Sequence, residues 1–285
     1  MLPVAITNSQ FVLTDKLFHN LSASEHLECF ISGISIGQLR LSDASTRYKL
    51  LNILIIGGSG GIGAALIDQL LISRPNTHIY TTYHTHKPRI EHPNIQWFKV
   101  DASSESDVLE LSNHIASLDV LINAAGFLHS SNKKPEKSVN EFNADFFHHN
   151  IESNVVPTIL LSKHFSRQLK SKSKTHFISI SARIGSIEDN HIGGWISYRC
   201  SKAALNMALK TISVEWKYKL PNCCVLAFHP GTTDTELSKP FQRNVSPEKL
   251  FTPSYVALRL LDLLDQKGPA DSGKFVNFNG DELPW

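Results

Sequence analysis

The most constraining feature of this sequence is an apolar run that leads into a glycine-rich turn and then into a helical pattern. Residues 50–57 read Leu-Leu-Asn-Ile-Leu-Ile-Ile-Gly. Such a run predicts a strand buried on both faces of a parallel sheet. The turn at residues 57–63 contains five glycines, and residues 64–72 have helical spacing. This order predicts a pyrophosphate site, because bare backbone and a helix N-terminus both favour a bound anion. A flexible turn is the alternative, and the flanking elements argue against it.

Further strands and helices alternate along the rest of the chain. This pattern predicts an α/β fold with a Rossmann-type, doubly wound parallel sheet, in which ligands bind beyond the C-terminal strand ends. Residues 51–285 would form a single catalytic domain, and residues 1–50 an N-terminal extension of unknown structure, with short apolar runs at 4–6 and 11–13. The predicted strands are 78–83, 95–100, 119–123, 175–181, 223–229 and 274–279; the predicted helices are 105–118, 142–169, 198–219 and 253–264.

The segment after the second strand is basic where a dinucleotide site selects its cofactor. About 20 residues beyond the glycines, an acid favours the ribose of NAD and a basic group favours the 2′-phosphate of NADP. Residues 83–89 read Tyr-His-Thr-His-Lys-Pro-Arg, and the first carboxylate is Glu91. The sequence therefore favours NADP over NAD, with His84 next to the strand end. A merely solvated basic loop is the alternative.

Tyr198 and Lys202 lie four residues apart at the start of the segment 198–219. On a helix, this spacing puts both side chains on one face, one turn apart. An ammonium beside a phenol favours the phenolate, so we predict a tyrosine pKa below its usual value of about 10. Such a phenol exchanges a proton with a carbonyl or alcohol oxygen. Two surface residues on an amphipathic helix would show the same spacing, so the interpretation depends on the other motifs.

Composition excludes several other classes of protein. A net charge of +2 offers no basic stripe for nucleic acid, and no apolar run reaches the ~18 residues of a membrane span. The N-terminus does not resemble a signal peptide. The four cysteines show neither metal-ligand nor disulfide-framework spacing, so we expect reduced thiols, no metal and a cytoplasmic protein. His84-x-His86 and His148-His149 are more typical of solvated surface histidines than of metal ligands.

Four motifs occur in a family's order over residues 51–285. They are Gly57-x-x-x-Gly61-x-Gly63, Asn123-Ala124-Ala125-Gly126, Tyr198-x-x-x-Lys202 and Pro230-Gly231-x-x-x-Thr235. With them, the sequence resembles the short-chain dehydrogenases/reductases. Gly193-Gly194-Trp195, the run 201–206 and the segment 273–285 look most like the subgroup that contains C-factor and sniffer-type carbonyl reductases.

The resemblance implies a role for each matching residue. Tyr198 would be the general acid/base, Lys202 would lower its pKa and hold the nicotinamide ribose, and Asn154 would support a proton-relay water. Asp101 and Ala102 would lie at the adenine. The full set of expected cofactor contacts is Gly57, Ser59, Gly61, Ile62, Gly63, His84, Asp101, Ala102, Asn123, Ala124, Gly126, Pro230, Gly231, Thr233 and Thr235.

The sequence departs from the family at the usual catalytic serine. That serine lies three residues before a glycine, and here the position is Ala182. Ser181 is one residue early, which in a regular strand turns its side chain to the other face. A bulge could re-aim Ser181, or Ser186 could reach in from the loop. We expect Ser181 either to orient substrate or to form only a local hydrogen bond.

The expected activity is NADP-dependent reduction of an aldehyde or ketone, with Tyr198 as proton donor. A non-catalytic NADP-binding sensor or signalling protein is the alternative that the displaced serine and the N-terminal extension keep open. The resemblance also implies a homodimer or homotetramer, formed through the helix after Tyr198 and the helix at 253–264. Phe241 and Pro240 suggest an apolar substrate pocket; the substrate itself and the physiological direction do not follow from the sequence.

Overall fold

The structure, a computed structural model, describes residues 50–88 and 90–285. Several sequence predictions lie outside these residues: the possible strands at 4–6 and 11–13, the rest of the extension up to residue 49, Cys29 and the basic Arg89.

Seven parallel strands form the central sheet of the described residues. Every strand predicted from residue 50 onward is present, and the doubly wound fold is confirmed. Their spatial order is β3-β2-β1-β4-β5-β6-β9, so the order reverses between β1 and β4. The strands are β1 (Asn52–Ile56), β2 (His78–Tyr83), β3 (Ile95–Lys99), β4 (Val120–Asn123), β5 (Thr175–Ile180), β6 (Cys223–His229) and β9 (Lys274–Asn277); β7 (Thr232–Thr233) pairs separately with β8 (Leu250–Phe251).

Helices cover both faces of the sheet because successive strand residues point to opposite sides. In β1, Leu54 and Ile56 join one buried cluster, whereas Ile53 and Ile55 join the other. The first cluster packs under α2 (Glu105–Asn113), α4 (Val156–Phe165) and α5 (Ile196–Lys219), and the second under α1 (Gly61–Ser73) and α6 (Pro253–Gln266). A sixth helix, α3 (Ala144–Asn154), packs against α5.

The helix predicted at 142–169 is wrong as a single element, since the structure divides it into α3 and α4 at Val155. Pro157 explains the break. It has no backbone N–H for the carbonyl four residues earlier, and its ring crowds that carbonyl. The division places Asn154 at the last turn of α3, where its side chain leaves the helix axis toward neighbouring segments.

The helix predicted at 105–118 is shorter in the structure and ends at Asn113. Ile115 and Leu118 are nevertheless buried, and the Leu118 N–H donates to the Gln168 carbonyl at 2.8 Å. Both side chains are therefore buried by a non-helical segment that follows α2. None of the helices in the described part is both long and apolar enough to cross a bilayer.

The central sheet gives a direct test of the packing. Phe177 in β5 is fully buried, so Phe177→Ala leaves a large cavity, and we expect it to lower the free energy of unfolding by about 3–5 kcal/mol. Phe142→Ala is the matched control, because Phe142 is 48% exposed and its loss should change stability by less than about 1 kcal/mol. Urea unfolding of both variants measures the difference; equal losses would contradict the assigned core.

Candidate active site

The turn after β1 lies against the turn after β4. Gly57 has a φ of +79°, and a Cβ at this position would lie 3.0 Å from the Ala125 nitrogen. Both the conformation and the space therefore require glycine here. The Gly57 N–H donates to Thr82 Oγ1 at 3.0 Å, which ties the turn to the end of β2. Three strand ends thus meet at the point where the sheet order reverses.

The N-terminus of α1 is open, unlike those of three other helices. Ser104, Asn143 and Thr252 each accept a backbone N–H at the start of α2, α3 and α6. Gly60 at the start of α1 has no capping side chain, and the first turn has no acidic residue. The first N–H groups of α1 and the positive end of its dipole are therefore available to an anion.

A cleft of about 410 Å³ runs from this turn along the strand ends. The turn side chain Ser59 and the carboxylate Asp101 lie in its lining, with His84 Nε2 at 3.9 Å from Asp101 Oδ2. The Asp101 carboxylate also accepts from the N–H and hydroxyl of Ser103. Six of the sequence-predicted cofactor residues line this cleft: Gly57, Ser59, His84, Asp101, Ala102 and Gly126.

Asn123 is buried behind the cleft. Its amide donates to Thr158 Oγ1 at 3.0 Å, and its Oδ1 accepts from the Ala125 N–H at 3.1 Å. This side chain shapes the Ala124–Gly126 turn and leaves the backbone of that turn to face the cleft. Gly126 ends the turn close to α5, since a Cβ at Gly126 would lie 3.6 Å from Lys202 Nζ.

The loop after β6 closes the other side of the site. A Cβ at Gly61, in the first turn of α1, would lie 2.5 Å from Thr235 Cγ2. Thr235 thus packs directly against the glycine-rich turn, and Ile62 and Gly63 follow Gly61 in the first turn of α1. Pro230, Gly231 and Thr233 precede Thr235 in the same loop. Thr233 is 4% exposed, and its hydroxyl has no hydrogen-bond partner among the described residues.

Tyr198 and Lys202 lie on one face of α5, and both are buried, at 8% and 4% exposure. Lys202 Nζ donates to the Ile180 carbonyl at 3.1 Å and lies 5.7 Å from the centre of the Tyr198 ring. No side chain within residues 50–88 and 90–285 hydrogen-bonds the Tyr198 hydroxyl. That hydroxyl is therefore free to bind a ligand oxygen.

The predicted lowering of the Tyr198 pKa is wrong for these protein groups. Burial raises the pKa of Tyr198 above its ordinary value, and the same burial lowers the pKa of Lys202 to about 8. The physical reason is that each ion loses hydration in this position. The phenol is thus held as the proton-bearing form, which is the form that donates.

Asn154 joins the turn after β4 to α5. Its Oδ1 accepts from the Phe127 N–H at 2.8 Å, and its amide donates to the Phe127 carbonyl and to Ser201 Oγ. Ser201 lies between Tyr198 and Lys202 in sequence. The side chain of Asn154 therefore fixes the turn relative to α5.

The two candidate serines are both engaged with protein groups. The Ser181 hydroxyl donates to Asn206 Oδ1 on α5 at 2.5 Å, one turn beyond Lys202. The Ser186 hydroxyl donates to the Trp285 carbonyl at 3.2 Å and accepts from the Asp189 N–H. No bulge turns Ser181 back, since its N–H continues the ladder to the Phe228 carbonyl. Neither hydroxyl pairs with Tyr198.

Aromatic rings lie beside Tyr198. Trp195 lies 6.3 Å from Tyr198 and 4.8 Å from Phe241, measured between ring centres. Trp195 is the non-glycine residue with positive φ in the described chain, at 53°, a conformation that costs about 1–2 kcal/mol. The Glu136 carbonyl accepts its N–H at 2.5 Å. The Glu136 carboxylate also binds the N–H and hydroxyl of Ser197.

Sequence reasoning missed the roles of Trp195 and Glu136. Trp195 was visible only as part of a Gly-Gly-Trp motif, and Glu136 lies in a stretch, residues 129–141, that is polar and reads as a plain loop. Nothing in the sequence shows that Glu136 is 2% exposed. Its proline neighbour, Pro135, is the one local sign of a fixed turn there.

A dinucleotide fits the residues present. The uncapped α1 suits its pyrophosphate, and the side-chain-free cradle at Gly57 allows close approach of the phosphates. The unpaired Thr233 hydroxyl in the loop after β6 suits a polar group such as the nicotinamide carboxamide. These three features lie along one edge of the sheet.

The chain is similar to known proteins in sequence and in fold. An uncharacterized oxidoreductase of Schizosaccharomyces pombe is 27% identical over 253 residues, 81% of this chain and 96% of that protein. Among solved structures, NADPH-bound carbonyl reductase from chicken fatty liver has a TM-score of 0.72 and 23% identity, over 83% of this chain and 94% of that one. Carbonyl reductase Sniffer of Drosophila melanogaster has a TM-score of 0.70 and 24% identity, over 83% and 100%. These two structures share the fold.

The family assignment rests on a match along most of the domain. The family model described as short chain dehydrogenase matches residues 51–246, which includes the glycine-rich turn, the Asn123 turn, the Tyr198–Lys202 pair and the loop after β6. The chain belongs to the short-chain dehydrogenase family and is an oxidoreductase of that family.

Proposed function

We propose that this protein reduces a carbonyl compound, an aldehyde or a ketone, to an alcohol with NADPH. The observation that carries the proposal is the Tyr198 hydroxyl, which has no hydrogen-bond partner in the described residues and lies on the same helical face as the buried Lys202. A purely binding protein has no use for a buried ammonium one turn from a free phenol. The open N-terminus of α1 supports the cofactor at the same sheet edge.

The protein's own groups would position the substrate and move one proton. Tyr198 Oη donates its proton to the carbonyl oxygen as negative charge develops there. Lys202 holds a positive charge close enough to favour the resulting phenolate. A reduced nicotinamide, when bound, supplies the hydride that reaches the carbonyl carbon. Asn154 keeps the Phe127 turn and α5 in register, so that both sides of the site stay aligned.

NADPH is the proposed form of the cofactor. His84 follows β2 directly and lines the cleft, and Lys87 lies three residues further. An imidazole and an ammonium are both suitable hydrogen-bond donors for a 2′-phosphate. Asp101 also lines the cleft. Its Oδ2 atom lies 3.9 Å from His84 Nε2, and its Oδ1 atom accepts both hydrogen bonds from Ser103. The similar chicken carbonyl reductase is an NADPH complex, which also supports this choice.

A non-catalytic NADP-binding protein is the second candidate, and one observation favours it. Ala182 stands where the family's catalytic serine is usual, and the hydroxyls of Ser181 and Ser186 are both bound elsewhere. Tight NADPH binding without turnover of any carbonyl would support this candidate.

Self-association is part of the proposal. The outward face of α5 exposes Met207, Val214 and Tyr218, and α6 exposes Tyr255 and Leu258. These apolar side chains suit a homodimer or homotetramer in the cytoplasm. The three cysteines of the described residues are free thiols, as expected for that compartment.

The first prediction concerns the phenol. Tyr198→Phe removes the proton donor, so we expect kcat with NADPH and an active aldehyde or ketone to fall at least about a hundredfold. Binding of NADPH, followed by fluorescence titration, should remain. Tyr218→Phe is the matched control, because Tyr218 is on the same helix and 83% exposed. If Tyr198→Phe and wild type turn over at the same rate, the proposed function is wrong.

The second prediction concerns the cofactor. His84→Asp places a carboxylate beside the proposed 2′-phosphate, so we expect the Kd for NADPH to rise about tenfold or more while the Kd for NADH stays constant or falls. His148→Asp makes the same charge change on an exposed face of α3 and should alter neither constant. An equal loss for both cofactors in His84→Asp would argue against a 2′-phosphate at this position.

The third prediction concerns the stability of the protein without added cofactor. Burial lowers the pKa of Lys202 to about 8. Below pH 8 the folded state therefore carries a buried ammonium, whose free energy is higher than that of the hydrated ammonium in the unfolded state. Lys202→Met should therefore stabilise the protein at pH 7 by about 1–3 kcal/mol, less the lost bond to the Ile180 carbonyl.

The gain should shrink as the pH rises above about 8 and should vanish only above the ordinary lysine pKa of about 10.4, where the side chain has lost its proton in both states. Urea unfolding at pH 7 and pH 10 measures it. Lys217→Met, at an exposed position of the same helix, should give no pH-dependent gain. A destabilised Lys202→Met at pH 7 would contradict the assigned burial.

A further inference from the structure

The end of β5 supplies no second hydrogen-bond donor to the reacting oxygen. Ala182 has no polar side-chain atom, Ser181 donates to Asn206, and Ser186 donates to the Trp285 carbonyl. A carbonyl oxygen has two lone pairs, and the charge that develops on it is stabilised by each donor aimed at it. If Tyr198 is one donor, another side chain has to provide the second.

His129 is a polar side chain whose ring contacts Phe241. It follows Gly126 by three residues, in the loop that leaves β4. That loop is fixed at Phe127 by two hydrogen bonds to Asn154. Since Asn154 also binds Ser201 in the catalytic helix, His129 is carried by a segment whose position relative to Tyr198 is set.

Ring contacts connect His129 to Tyr198 around the crevice. The His129 ring lies 5.4 Å from Phe241, Phe241 lies 4.8 Å from Trp195, and Trp195 lies 6.3 Å from Tyr198, all between ring centres. Phe241 thus touches both His129 and Trp195. These four rings form one apolar wall with two polar ends, the Tyr198 hydroxyl and the His129 imidazole.

The imidazole has an unpaired nitrogen inside this wall. His129 Nε2 is buried and has no hydrogen-bond partner among the described residues, and a buried polar atom without a partner is costly. Gln168 Oε1 and Asn206 Nδ2 are also buried without partners. In each of these side chains, however, the other amide atom is bonded: Gln168 Nε2 donates to the Ser112 carbonyl, and Asn206 Oδ1 accepts from Ser181. The His129 ring forms no hydrogen bond through either nitrogen in residues 50–88 and 90–285. The imidazole therefore has a hydrogen-bonding capacity that no described protein group uses.

We propose, on the basis of the carbonyl reductase function above, that His129 Nε2 donates a hydrogen bond to the carbonyl oxygen of the substrate, in place of the hydroxyl absent at Ala182. With its proton on Nε2, the neutral imidazole is a suitable donor. The oxygen then lies between Tyr198 Oη and His129 Nε2, and Trp195 and Phe241 hold the apolar part of the substrate.

Three variants test this assignment. His129→Phe keeps a ring against Phe241 and removes the donor, so kcat/KM should fall ten- to a hundredfold while the Kd for NADPH and the thermal unfolding temperature stay constant. His129→Gln places an amide N–H near the position of Nε2 and should retain most of the activity. His148→Phe, at an exposed histidine, is the control and should equal wild type.

The double variant His129→Phe/Ala182→Ser gives the sharpest readout. Ala182 is half-buried on extended backbone and its side chain alternates with Ser181, so a serine there would restore a hydroxyl from the β5 side. We expect it to recover at least tenfold of the activity lost in His129→Phe. Ala182→Ser alone should change the wild-type rate by less than threefold, because the oxygen is already held.

The outcomes separate the two claims. A wild-type protein that turns over no member of a panel of aldehydes and ketones contradicts the proposed function itself. An active wild type with an equally active His129→Phe overturns the role of His129 and leaves the function standing. Loss of NADPH affinity in His129→Phe would show a structural effect and also overturn it. Rescue by glutamine without rescue by Ala182→Ser would place the histidine on a different polar group of the substrate, against the carbonyl-oxygen assignment.

Discussion

The contact between the turn after β1 and the turn after β4 is the constraint on which the site depends. Gly57, at positive φ, lets its backbone approach Ala125 so closely that a Cβ would lie 3.0 Å from the Ala125 nitrogen. Because the sheet order reverses between these two strands, the helices that follow them diverge to opposite faces and leave a crevice between their ends. Three features border this crevice: the uncapped N-terminus of α1, the Asn154 side chain that joins the Phe127 turn to Ser201, and the face of α5 that carries Tyr198. A wider turn at Gly57 would separate them.

Unfavourable features of the chain gather at this same edge. Lys202 is a buried ammonium, α1 starts without a cap, Trp195 adopts a left-handed conformation, and the hydroxyl of Thr233 and Nε2 of His129 are buried without partners. Each weakens the fold by an amount that a well-packed alternative residue would avoid. The two apolar clusters on either side of the sheet offset these terms. Destabilising features that cluster at one edge of an otherwise well-packed sheet are typical of a functional site.

The sequence predicted the parts that depend on local pattern. The strand boundaries, the glycine-rich turn and the one-residue offset of Ser181 follow from side-chain periodicity, and Ser181 does face α5. Pro157 was a visible signal for the break that the predicted long helix overlooked. The predicted direction of the Tyr198 pKa shift was wrong because the i, i+4 spacing shows the neighbouring ammonium but not the burial of the phenol, and burial raises the pKa. Glu136 and His129 were missed for the same reason, since a polar loop residue becomes buried only when the loop is folded onto another element.

The small β7–β8 pair has a consequence for how the substrate range of such a protein changes. It joins residues 232–233 to residues 250–251, so the intervening stretch, which carries Phe241, starts and finishes at one anchored ladder. A loop whose two ends are fixed by the same pair of strands can be replaced as a unit. Its length and side chains can change while the sheet below keeps its register, so under the proposed function a change of substrate at Phe241 needs no new fold.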